Sequence, residues 1–284
     1  MPAASYADLS ILSTKEKVGI CRICGESGPL SLEHVIPRSA GGGEKMQLYN
    51  TSDLITNPEK AYGEIKQNGT ATRTICSKCN NKLGRWYDKE FSKFYKVLNI
   101  GVDNEIKKLI DSGEIQTKNE LSGKWLKFGI KEISPFCIAK RILAMFCSID
   151  YPGLTDKIPE IQKAILDKNY VPSISDFSIF LCLCYGNGAF FSTIATLKLP
   201  NIVDAFAGVE SLYMGLYLKQ KSSNPKNVDT LDNCANITSW LTECEPDKQY
   251  EINFTLPFVK TMALDPPIPQ KTKKRICAKS AKNA

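Results

Sequence analysis

A chain of 284 residues with 43% hydrophobic and 24% charged residues has the composition of a folded protein, which excludes a disordered or fibrous chain. The length suits one large domain or two modest ones. The formal charge of +7 is uneven: residues 1–100 carry 14 Lys and Arg against 10 Asp and Glu, residues 101–270 carry 17 against 20, and the last 14 carry six basic groups and no acid. A basic N-terminal part ahead of a slightly acidic remainder suits a polyanionic partner.

The first residues, MPAASYADLSILSTKEKVGI, have neither a basic n-region nor a continuous apolar run, so no secretory signal is expected and residues 1–18 read as a lead-in. Eleven cysteines follow, an odd number without an export signal, which argues against a disulfide framework and for a cytoplasmic protein. Cys21-Arg-Ile-Cys24 and Cys76-Ser-Lys-Cys79 are two C-x2-C knuckles. Two such pairs complete a tetrahedral four-thiolate site, so Cys21, Cys24, Cys76 and Cys79 are expected to hold a structural Zn²⁺. A redox role for the pairs gains nothing from a second copy. Inside this staple lies the single histidine, His34, in Leu32-Glu33-His34-Val35-Ile36-Pro37, followed by Gly41-Gly42-Gly43. The LEHVI run alternates like a short strand, and residues 44–70 form a longer polar insertion. After the second knuckle, Leu83, Trp86 or Tyr87, Phe91, Phe94 and Leu98 recur at helical spacing, which predicts a helix over 80–98.

Beyond residue 100 the pattern predicts an α+β body over 101–262. Residues 116–130 read as a short hairpin. Ser134-Pro135 is a good N-cap and first-turn pair for a buried helix over 134–149, and Pro159 opens another over 158–169. The apolar stretch 177–199 is interrupted by Gly186-Asn187-Gly188, so it reads as two arms of a hairpin, 177–185 and 189–199, and not as a membrane span. Cys182 and Cys184 then share one strand face as core residues. Tyr250, Ile252, Phe254 and Leu256 mark a half-buried strand. Residues 263–284 are a Pro-rich linker and a basic tail, expected to be disordered. No internal repeat, P-loop or dinucleotide fingerprint occurs.

Taken together, CRICGE, LSLEHVIPRSAGG and CSKCNNKLG resemble the HNH endonucleases, in the branch with paired CxxC knuckles and an E-H-V-I-P core. The resemblance covers roughly residues 19–96. It implies a zinc-stapled ββα-metal finger over 19–100 that hydrolyses phosphodiester bonds in nucleic acid, DNA before RNA. It implies His34 as general base, with Glu33 and Asn80 supplying oxygen ligands to a catalytic Mg²⁺ or Mn²⁺. Arg73, Lys82 and Arg85 are candidate phosphate contacts, and Asp88, two turns beyond Asn80, is either a solvated acid or a neighbour of the metal. HNH nucleases of this build are associated with mobile elements, restriction and anti-phage defence, and the body would bind a partner, a ligand or a DNA feature. Asp88 also reads as a partner for Lys or Arg. Two departures stand out. The last motif position is Asn80 instead of His. The middle asparagine is missing from Ala71–Ile75: Asn68 lies slightly too far back, Asn50 and Asn57 fall in the insertion, and the role of orienting His34 passes to a backbone carbonyl or to Thr72. The alternative is a non-catalytic, zinc-stapled nucleic-acid-binding module.

Overall fold

In the computed structural model the described residues are 4–7, 15–49, 64–121, 123–150, 153–185, 188–199, 202–220, 231 and 233–260. Asn50, Asn57, the turn residues Gly186 and Asn187, and the stretch 263–284 lie outside them. In chain order the strands are β1 Ala4–Ala7, β2 Val18–Ile20, β3 Ser27–His34, β4 Met46–Tyr49, β5 Glu64–Lys66, β6 Ala71–Cys76, β7 Trp125–Ile133, β8 Phe177–Tyr185, β9 Gly188–Leu199, β10 Ile202–Ser211, β11 Met214–Gln220, β12 Ala235–Asn236 and β13 Tyr250–Lys260. The α-helices are α1 Ser77–Trp86, α2 Asp88–Asp111, α3 Pro135–Ile149, α4 Leu154–Lys157 and α5 Pro159–Leu166. The protein is therefore α+β, as its pattern predicts.

The two knuckles flank a small antiparallel sheet, β2-β3-β6. Its register puts Leu30 opposite Cys76, Glu33 opposite Thr72 and His34 opposite Ala71, with a shift between Ser31 and Glu33. A bulge of this kind bends the strand and re-aims side chains. β6 runs directly into α1, so the second knuckle straddles a strand end and a helix start. The helix expected over 80–98 is two helices. Tyr87 breaks it with φ −126°, and its buried hydroxyl donates to the Ile165 carbonyl at 3.1 Å. The apolar spacing nonetheless holds across the break: Leu83, Tyr87, Phe91, Phe94 and Leu98 are all buried.

α3 has every residue buried, as expected for a helix that is apolar on all sides. Ser134 caps it, accepting from the Cys137 N–H at 3.5 Å, and Pro135 occupies the first turn. Two cations lie within it. Lys140 Nζ donates to the Asp167 and Lys168 carbonyls at 2.7 and 2.9 Å, satisfying groups beyond the end of α5. Arg141 reaches the other way, to the end of β3. The large sheet runs β5-β4-β1-β9-β10-β11-β8-β13-β7, with β12 also on β8. Segments from the lead-in and the insertion thus pair into the sheet of the body. The larger of two hydrophobic clusters among the described residues extends from Cys21 and Ile23 to Phe258, and the smaller holds Phe180, Cys182, Cys184, Tyr217 and Leu231.

Two expected hairpins are different in the structure. The arms 177–185 and 189–199 are strands, but they are not paired. β10 and β11 lie between them, joined by a tight turn in which Leu212 has φ +50°. β8 is buried along its whole length, so it needs a neighbour on each side, and β11 and β13 provide them. Residues 116–130 hold a 3₁₀ turn, Lys118–Leu121, and then β7, which pairs with β13. β13 alternates as predicted, with Glu251, Asn253 and Thr255 exposed between better-buried neighbours. None of the described helices is long and apolar enough to cross a membrane, and the ten described cysteines are free thiols.

Cys182 and Cys184 share a face, with sulfurs 3.9 Å apart. Gly215 on β11 faces them, and a Cβ there would fall 2.5 Å from Cys184 Sγ and 2.7 Å from Cys182 Sγ. Gly215→Ala is expected to destabilise by about 1–3 kcal/mol through overpacking, read as a lower urea midpoint at an unchanged slope.

Candidate functional site

The four knuckle cysteines converge. Their sulfurs all lie within 4.8 Å of one another and could hold a metal ion such as zinc. Local chain geometry explains why. Gly25 takes φ +75°, which lets its N–H return to the Cys21 carbonyl at 2.8 Å and closes the first knuckle. The Cys76 N–H points at Cys21 Sγ, 3.3 Å away. Cys79 lies in the first turn of α1, where the helix dipole favours a thiolate. The crowding is visible in the acidities. Cys21 is drawn down to about 4, chiefly by a hydrogen bond with Cys79. Cys24 is pushed up to about 11, chiefly by burial, and Cys79 is raised by its contact with Cys21. A divalent cation supplies the charge that lets four neighbouring thiols ionise together.

Beside this cluster is a cavity of about 760 Å³. Glu33, His34 and Asn80, the three residues expected at the centre, all line it, and so does Asp88. His34 is the last residue of β3 and is half-buried. Its ring is hydrogen-bonded to the backbone of Asn68. A main-chain group thus holds the ring, as a backbone carbonyl can. The glycines make this possible. A Cβ on Gly42 would fall 1.7 Å from the Ile36 carbonyl oxygen, and one on Gly69 would fall 2.3 Å from the Gly42 carbonyl oxygen. Thr70 ties the two segments together, donating to the Gly42 carbonyl from N at 3.0 Å and from Oγ1 at 3.1 Å. Burial lowers the His34 pKa, and the Arg38 cation lowers it further against the Asn68 hydrogen bond, so the imidazole is neutral at pH 7.

Asn80 donates from Nδ2 to Ser31 Oγ and to the Leu32 carbonyl, both at 3.2 Å. The amide is thereby fixed, with Oδ1 as its remaining acceptor. Glu33 is buried and faces Arg141, whose Nη2 is 3.3 Å from Oε1. Ser148 Oγ donates to the same oxygen at 3.3 Å. Oε2 has no partner among the described residues. Burial pushes the Glu33 carboxyl up to about 7, against the pull of Arg141. The unfolded group titrates near 4.5. Between these two values the folded state keeps a proton that the unfolded chain has released, so stability falls as pH rises from 4.5 to 7. In protein without added divalent ion this slope amounts to on the order of 3 kcal/mol, and Glu33→Gln should abolish it. Parallel melting curves for both proteins across this window would contradict the assignment.

The other predicted contacts lie elsewhere. Arg73 Nη1 donates to the Leu30 carbonyl at 3.0 Å, bracing the small sheet. Lys82 donates to the Leu166 carbonyl at 3.1 Å and stacks over Trp86. Arg85 is exposed in the last turn of α1. None of the three lines the cavity. The cations that do are Arg38, Lys89, Lys93 and Lys96, together with Arg141, and the three lysines follow one face of α2. Lys93 also pairs with Glu132 at 3.5 Å. Arg141 went unnoticed in the sequence. Its signal was a Lys-Arg pair inside an otherwise apolar run, because buried cations need partners.

No family model matches this chain, and no match is found among curated proteins or solved structures.

Proposed function

We propose that the protein is a metal-dependent endonuclease of the HNH class that hydrolyses phosphodiester bonds in DNA. The observation that carries this reading is the convergence of Glu33, His34 and Asn80 on one cavity beside four clustered cysteines. In this reading β3, β6 and α1 are the ββα finger, and the cysteines hold a structural zinc that keeps its two ends together. His34, neutral and oriented by the Asn68 backbone, takes the proton from the attacking water. Glu33 Oε2 and Asn80 Oδ1 would hold a Mg²⁺ or Mn²⁺ ion. They fit it as hard oxygen donors, the first of them buried without a partner among the described residues. When bound, that ion polarises the scissile phosphate and stabilises the leaving oxygen. Arg38, Lys89 and Lys96 draw the phosphate backbone to the cavity mouth.

A second reading, a nucleic-acid-binding module without cleavage, draws on the engagement of Glu33 Oε1 by Arg141 and Ser148, which leaves one carboxylate oxygen for a metal. Incubating purified protein with supercoiled plasmid in Mg²⁺ or Mn²⁺, beside EDTA, separates the two. The nuclease reading expects nicking that EDTA stops. Plasmid retarded in a gel but never nicked would favour the binding module.

A further inference from the structure

The buried helix α3 of the body sends one guanidinium to the cavity. Arg141 Nε is 2.6 Å from Asp88 Oδ1. Nη2 is 3.3 Å from Glu33 Oε1 and donates to the His34 and Val35 carbonyls at 3.1 and 3.3 Å. Arg141 therefore holds the end of β3 at the residues on which the site depends. Its remaining nitrogen, Nη1, is buried, and no described group accepts from it. An unmet buried donor costs about 1–3 kcal/mol, more when charged. Guanidinium nitrogens are donors only, so the missing partner is an acceptor. Of the two carboxylates at hand, each already gives one oxygen to Arg141, while Arg38, Lys89, Lys93 and Lys96 around the cavity make it a place for an anion.

We propose that Arg141 Nη1 binds a phosphate oxygen of a DNA strand seated beside His34, an inference that rests on the nucleic-acid reading above. The body is then more than an appendage, since it supplies a substrate contact that the N-terminal segment lacks. The planar fork can serve both purposes at once. One edge grips the protein's own carboxylates while the remaining nitrogen meets the phosphate.

The probe is a short fluorescein-labelled DNA duplex, titrated by anisotropy in EDTA near pH 8 over a range of salt. Two variants are compared, each checked for metal content and melting temperature. Arg141→Lys keeps the charge and loses the fork. The triple variant Glu33→Gln, Asp88→Asn, Arg141→Gln leaves no buried charge alone, which guards against misfolding of the single variant. The triple change removes two negative charges and one positive. Bulk electrostatics alone would therefore tighten DNA binding. A phosphate contact at Arg141 predicts the opposite: about tenfold weaker binding in both variants, and in the triple variant a salt slope smaller by about one. Variants that bind as well as or better than wild type overturn the proposal, whether or not plasmid is nicked. Binding that depends on Arg141 without metal-dependent nicking keeps the phosphate contact and removes the nuclease. Wild-type protein that does not bind the duplex removes both.

Discussion

With zinc held by the four cysteines, as proposed, Cys79→Ser protein is expected to lose the metal and to melt far below wild type, and a strong chelator should have the same effect on the unmutated chain. The sulfur cluster joins Cys24 and Cys76, 52 positions apart in sequence. The connection between them carries the Gly-rich loop, the Asn68 turn, β3, which ends at His34, and β6, which pairs with it. A structural zinc contributes roughly 10–16 kcal/mol to the folding of an isolated finger. Part of that is replaced here by docking onto the body. Arg22 donates to the Ser148 carbonyl at 2.9 Å, and Gln162 to the Ile23 carbonyl at 2.8 Å. The expected result is therefore a protein whose helices and large sheet persist while the small sheet opens. Zinc release by colorimetry, followed beside circular dichroism and hydrogen exchange over residues 15–76, reads this directly. A zinc-free variant with unchanged melting and unchanged protection would contradict the staple.

Gly42→Ala should be nearly as damaging, although it touches no proposed ligand. The new Cβ cannot share space with the Ile36 carbonyl oxygen 1.7 Å away, and the two nearest atoms both belong to that backbone carbonyl. The loop must move. As it moves, Thr70 loses its bonds to the Gly42 carbonyl, and Asn68 shifts away from the His34 ring. A loss of about 3 kcal/mol in stability is expected from the overpacking. Nicking should fall by about 10²-fold, the cost of misplacing a catalytic group by roughly an ångström. Gly43→Ala is the control for stability alone: its Cβ would come no nearer than 3.3 Å to the flexible Arg38 side chain, so it should cost less than about 1 kcal/mol, although it would also lie 3.7 Å from His34 Nε2. A Gly42→Ala protein as stable as Gly43→Ala that nicks at the wild-type rate would show that the loop does not position His34.

What the sequence revealed, and what it hid, follows from how far apart the interacting groups are. The knuckles were legible because a C-x2-C pair is a local turn, and two of them imply one site. His34 and Asn80, which share the lining of one cavity, drew notice because each sits directly beside a recognisable pattern. The Asn68 contact was not, because a backbone carbonyl leaves no side-chain signature and any residue could have supplied it. Arg141 was hidden for another reason: it lies more than a hundred positions from Glu33, and a lone sequence holds no record of that pairing. The same limit explains the strands. Alternation and turn residues marked β8 and β9 correctly as strands. They do not say which strand lies beside which, and the β10–β11 hairpin took the place between them. The break at Tyr87 escaped because the apolar spacing continues through it. A tyrosine whose hydroxyl must reach the Ile165 carbonyl can leave helical geometry without leaving the buried face.

In the proposed nuclease His34 acts as the base in phosphodiester cleavage, and the rate of His34→Ala measures that role. The comparison is single-turnover nicking of supercoiled plasmid in Mg²⁺ or Mn²⁺ by wild-type and variant protein of equal zinc content and melting temperature. Loss of a general base costs about 10²–10⁴-fold. A fall of that size with intact structure is the expected result. Nicking by the variant at the wild-type rate would contradict the role given to His34.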